Sequence, residues 1–130
     1  MILVDTSVWI DYFNGEISVK TDTLDDLLSG QIVIIGDLIF LKLLQGISNQ
    51  TRYKHIKDSL KNLEKVEMLG FVIAEKTAEN YNKLRIRGVT VRKSIDMVIG
   101  TYCIEHSLRL LHNDRDFLPM EKYLGLKTIS

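Results

Sequence analysis

Short apolar runs occur at residues 2–4, 32–35, 66–69 and 108–111, and between them apolar positions recur every three or four residues. The short runs predict strands and the longer period predicts helices. Helical spacing covers about residues 22–28, 37–44, 51–63, 77–87, 94–106 and 116–123. Such alternation favours an α/β fold, a parallel sheet with helices on both faces, because each parallel strand needs a crossover to return. A weaker signal at residues 126–129 brings the expected sheet to about five strands.

Composition narrows the class. The chain has 130 residues, enough for a single domain over residues 1–130. Its 45% hydrophobic and 26% charged content is that of a folded globule. Lys plus Arg and Asp plus Glu stand at 17 each, so contact with nucleic acid would have to come from local charge arrangement. The lone Cys103 cannot form an internal disulfide, and Asp5 interrupts the amino terminus before a signal-peptide apolar stretch could form. A cytoplasmic protein is expected. No apolar run approaches the roughly 20 residues of a membrane-spanning helix, so no membrane association is expected.

The acids sit at telling places. Asp5 ends the first predicted strand, Asp114 lies just past the fourth, and Asp116 follows two residues on. In an open parallel sheet the crevice lies beyond the carboxyl ends of the strands, so these carboxylates can converge there. They can equally cap the helices that follow. Asp96 is a third acid, at the edge of the apolar stripe of Ile95, Val98, Ile99, Tyr102 and Cys103 and in the first helical turn. That placement predicts a half-buried, inward-facing carboxylate, although a first-turn acid also serves the helix dipole. Lys42 is the only polar residue within residues 38–44 and falls between Leu38 and Ile39 on the helical wheel. A buried ammonium must snorkel outward or meet carboxylates, and Asp5 or Asp96 are the expected partners.

Four segments together, Met1 to Asp11, Leu43-Leu-Gln-Gly46, Leu84 to Asp96 and Leu111-His-Asn-Asp-Arg-Asp-Phe117, resemble PIN-domain ribonuclease toxins of the VapC type. The resemblance covers nearly the whole chain. It implies a PIN-like three-layer fold with a five-stranded parallel sheet, and a Mg2+- or Mn2+-dependent endoribonuclease. It maps the family's catalytic acids onto Asp5, Asp96, Asp114 and Asp116, with Asp5, Asp96 and Asp114 as metal ligands and Thr6 or Ser7 as a supporting hydroxyl. It also implies an RNA substrate, a cognate VapB-type antitoxin whose C-terminal segment fills the active groove, and a homodimer. Where the family has glutamate, this chain has Lys42. The expectation is weak metal binding and impaired cleavage, with a catalytically inactive binding module of the same fold as the alternative. A phospho-accepting signalling domain also places acids at strand ends, but Gly70 and Phe71 follow the central run where an aspartate would be needed.

Arg85, Arg87, Arg92 and Lys93 cluster just before Asp96 and could hold RNA phosphates, or form a solvated helix end. Trp9, Tyr12 and Phe13 at helical spacing predict packing rather than base stacking. His112 beside the acids is expected to pack at a strand end, Cys103 to lie in a buried stripe, and Gly46 and Gly88 to end helices.

Overall fold

Ile2–Val4 form β1, buried on both faces as an interior parallel strand requires. The computed structural model describes residues 1–30 and 32–129. β1 pairs in parallel with β2 (Val33–Gly36) on one side and β4 (Arg109–Leu111) on the other, and β3 (Glu64–Val66) lies outside β2. The sheet order is therefore β3-β2-β1-β4. The first crossover carries α1 (Thr6–Phe13) and α2 (Val19–Ser29), and the second carries α3 (Asp37–Gln45) and α4 (Gln50–Leu60). Both step in one direction. The third, through α5 (Phe71–Ile86) and α6 (Ser94–Glu105), crosses back beyond β1 to β4. Right-handed crossovers running in opposite directions place their helices on opposite faces, giving the three layers. A 3-10 turn (Arg115–Phe117) and α7 (Leu118–Tyr123) close the chain. The reversal of strand order falls between β1 and β4, so the crevice opens where those two strands end.

Several expectations are corrected. Among the described residues four strands form the sheet, not about five: the 126–129 segment meets β4 only as a bridge between Leu110 and Thr128, after a turn at Gly125 with φ +79°. The third strand is Glu64–Val66 rather than residues 66–69. Glu64 and Lys65 are exposed, so an edge strand of polar residues carried no apolar signal, whereas Met68 leaves the sheet and packs against Gly36. The Met68 N–H donates to Asp37 Oδ1 at 3.0 Å, fixing that turn. Helix α5 begins six residues before the expected start. Phe71 and Val72 are 97% and 69% exposed, so its first turn lacks a buried stripe to read. Helix α2 starts at Val19, behind a Ser18–Thr21 capping box that the apolar period does not reveal.

Candidate active site

Asp5 follows β1 with extended backbone and caps α1: its Oδ2 accepts from the Ser7 N–H at 3.1 Å and the Ser7 hydroxyl at 2.7 Å. Its other oxygen, Oδ1, is buried without a hydrogen-bond partner. Ser7 also reaches the exit of β4, where its hydroxyl accepts from the Asn113 N–H at 3.0 Å. The Asp5 N–H meanwhile donates to the Leu111 carbonyl at 2.9 Å. One short side chain thus ties the first acid to the loop carrying the next two.

On that loop Asp114 caps the 3-10 turn, accepting from the Asp116 N–H on Oδ1 at 2.9 Å, and turns Oδ2 toward the crevice. Asp96, in the first turn of α6, has a fully buried side chain rather than a half-buried one, because that helix passes beneath the sheet edge with all of Asp96–Cys103 buried. Its Oδ1 accepts from the Lys42 ammonium at 3.1 Å, and its Oδ2 has no hydrogen-bond partner. Lys42 itself keeps 22% of its side chain exposed. The neighbouring Thr6 hydroxyl is also buried and unpartnered.

Asp96, Asp114 and Asp116 each offer a carboxylate oxygen lying within 4.8 Å of one another. Lys93 stands over them, its ammonium 3.1 Å from Asp114 Oδ2, 3.8 Å from Asp116 Oδ2 and 3.9 Å from Asp96 Oδ2. A cation therefore sits at the focus of the acids, supplied by the chain itself. The i,i+3 spacing of Lys93 and Asp96 would have signalled this pairing in the sequence. The remaining cations of the expected patch lie elsewhere. The Arg85 guanidinium stacks over Tyr81 at 5.3 Å and Arg87 over Tyr123 at 4.6 Å, and Arg92 is exposed. Among the described residues none of the three pairs with an acid.

The electrostatics follow from this placement. Burial raises the Asp96 pKa above the usual carboxylate value, helped by the charges of Asp5 and Asp114 and opposed by Lys42. Asp114 moves the other way: burial alone would raise it, but the Asp116 N–H and the Lys93 ammonium together hold it lower. Lys93 is raised, chiefly by its hydrogen bond to Asp114. Unpartnered buried oxygens cost about 1–3 kcal/mol each, and Asp5, Thr6 and Asp96 each carry one. Asp96 belongs to the cluster with Asp114 and Asp116, and Asp5 stands outside it. Hard oxygen donors of this kind suit a small divalent cation.

The PIN domain model matches residues 2–122. The chain belongs to the PIN domain family. Curated relatives include a VapC ribonuclease of Mycobacterium bovis and Ribonuclease VapC11 of Mycobacterium tuberculosis, each 27% identical over 132 residues, all of this chain and 98% of theirs. Among solved structures, VapBC2 of Rickettsia felis bound to a promoter DNA fragment shares the fold with a TM-score of 0.79. It is 16% identical, with 99% of this chain and 98% of that one covered. The parallel sheet of this fold accounts for the placement of Asp5 and Asp114 at adjacent strand ends. Lys42 and Lys93 both reach the acids of the crevice.

Proposed function

We propose that this chain, acting as one domain over residues 1–130, is a metal-dependent endoribonuclease toxin of a toxin–antitoxin pair, with catalysis held down by Lys42. The observation carrying this reading is the cluster of Asp96, Asp114 and Asp116, each offering a carboxylate oxygen within 4.8 Å of the others, with a buried, unpartnered oxygen on Asp96. Asp5 Oδ1, Asp96 Oδ2 and Asp114 Oδ2 would hold Mg2+ or Mn2+, with Asp116 and Thr6 orienting waters. A cation bound there lowers the pKa of a water and offsets charge growing on the phosphodiester oxygens.

The chain's own residues set how well this works. Lys42 takes one oxygen of Asp96 and places a positive charge beside the metal position, which weakens attraction for a divalent ion. Lys93 must leave the acids when a metal enters, and its exposed stem then frees the ammonium for an RNA phosphate. Arg85, Arg87 and Arg92 supply further phosphate contacts from outside the pocket.

The partner reading rests on two surfaces. A cavity of about 330 Å³ between α1, α3 and α4, lined by Ile10, Phe13, Ile47, Ile56 and by Lys42, whose ammonium meets Asp96, suits the C-terminal segment of a VapB-type antitoxin. At the start of α5, Leu69, Phe71 and Val72 are 52%, 97% and 69% exposed and offer a homodimer face. No helix among the described residues is long and apolar enough to cross a membrane, which accords with a cytoplasmic toxin acting on RNA.

The test is cleavage of an RNA substrate against Mg2+ and Mn2+ concentration by the native chain and by Lys42→Glu. At least tenfold faster, metal-dependent cleavage by Lys42→Glu, abolished by adding Asp5→Asn, is the expected result. Equal rates for both proteins would overturn the assignment of Lys42. No cleavage by either would leave the binding-module reading in its place.

A further inference from the structure

His112 was expected merely to pack at the end of β4, yet its ring is held by three separate groups. Phe117 lies against it with ring centroids 4.8 Å apart. Its Nδ1 faces the Asp114 N–H at 3.2 Å, and a backbone N–H can only donate, so Nδ1 is the acceptor. The ring proton therefore sits on Nε2, which lies 3.0 Å from Glu121 Oε2. Glu121 is fixed in turn, its Oε1 accepting from the Thr128 hydroxyl at 2.9 Å. Thr128 belongs to the segment bridged to β4 at Leu110.

We infer that His112 is a positioning residue: with Glu121 and Thr128 it sets the backbone of Asp114 so that Oδ2 points into the crevice. This rests on reading that crevice as the metal site. With its N–H anchored, the Asp114 side chain keeps two torsions, and the Asp116 N–H restrains them by holding Oδ1. The chain of bonds runs from Thr128, through Glu121 on α7 and His112, to the loop that carries Asp114 and Asp116. A carboxylate oriented through such partners binds metal more tightly, typically by 10–100-fold.

The geometry makes Asn and Gln at this position into opposite probes. In His112→Asn the amide oxygen falls near the place of Nδ1 and still accepts from Asp114, while the bond to Glu121 is lost. In His112→Gln the amide nitrogen falls near the place of Nε2 and still donates to Glu121, while the Asp114 N–H is left without its acceptor. Both lose the ring packed against Phe117, so a role confined to packing would affect them alike.

Three measurements decide the matter: nitrogen-detected NMR of the His112 tautomer, hydrogen exchange at the Asp114 amide, and Mn2+ affinity by calorimetry. The native protein should show the Nε2–H tautomer and a protected Asp114 amide. His112→Gln should exchange that amide at least tenfold faster and bind Mn2+ about tenfold more weakly, with His112→Asn close to native in both. Equal exchange and equal affinity in the two variants, or an Nδ1–H tautomer, would overturn the inference. Absence of Mn2+ binding in the native chain would count against the metal site instead, and the tautomer and exchange data would still decide the role of His112.

Discussion

Replacing Lys42 by methionine keeps the apolar stem and removes only the charge that meets Asp96. At 3.1 Å, with an effective dielectric near 20, the attraction is roughly 5 kcal/mol before desolvation is counted. Burial of the whole Asp96 side chain offsets much of this, and the ammonium of Lys93 at 3.9 Å from the other oxygen remains in the variant. The expected net loss is about 2 kcal/mol at pH 8, or roughly 6–10 °C in melting temperature for a domain of this size. The pH dependence identifies the cause. A carboxyl whose folded pKa is raised binds its proton more readily in the native state, so its share of stability is present below 3.8 and lost as pH rises through the folded value. Lys42 limits that rise, and in Lys42→Met the raising influences of burial, Asp5 and Asp114 are opposed only by the more distant Lys93 ammonium. Native and variant proteins should therefore converge toward pH 4 and diverge with increasing pH. Urea denaturation in EDTA at half-unit intervals from pH 4 to pH 8 measures this. A gap of constant size across the range would refute the ion pair as its source.

Three further outcomes are expected. Asp114 has a lowered pKa, so its stabilising share is present above 3.8 and lost as pH falls through its folded value; Asp114→Asn should flatten the loss of stability between pH 5 and pH 2.5 followed by circular dichroism. Gly36→Ala would place a Cβ 2.1 Å from Met68 Sδ at an ordinary φ of −88°, so crowding alone should cost about 1–3 kcal/mol in urea unfolding. Combining it with Met68→Ala should cost less than the two added together. The Cys103 thiol is fully buried and pushed up to about 12 by that burial, so its reaction with an aromatic disulfide reagent at pH 8 should follow global unfolding, and a burst of labelling within seconds would contradict its burial.

The sequence carried the fold wherever burial was two-sided. β1 and β2 are apolar throughout, so their runs were legible, as was the alternation that demands crossovers. It failed where one face of an element meets solvent. β3 is an edge strand of Glu64, Lys65 and Val66, and the first turn of α5 exposes Phe71 and Val72, so neither shows the period of the element it belongs to. Lys42 was legible for the opposite reason. A lone charge in an apolar helix face has few solutions, and the structure adopts the pairing with Asp96. Lys93 stood among exposed basic residues and looked like one more of them, although it alone of that group reaches the acids.

Capping and metal binding look like rival roles for a strand-end aspartate, but a carboxylate has two oxygens and the chain uses them separately. Asp5 spends Oδ2 on α1 and leaves Oδ1 buried and unpartnered; Asp114 gives Oδ1 to the Asp116 N–H and Oδ2 to the Lys93 ammonium. The cap fixes the side-chain rotation that a metal ligand would otherwise lose entropy to acquire, so the local structural role prepares the chemical one. Asp96 is different, because its Oδ1 is held not by a backbone donor but by the Lys42 ammonium. A backbone N–H orients a carboxylate and leaves its charge available; an ammonium orients it and cancels that charge. If the proposed metal site holds, Asp96 is therefore the acid at which removal of the Lys42 charge has most affinity to restore.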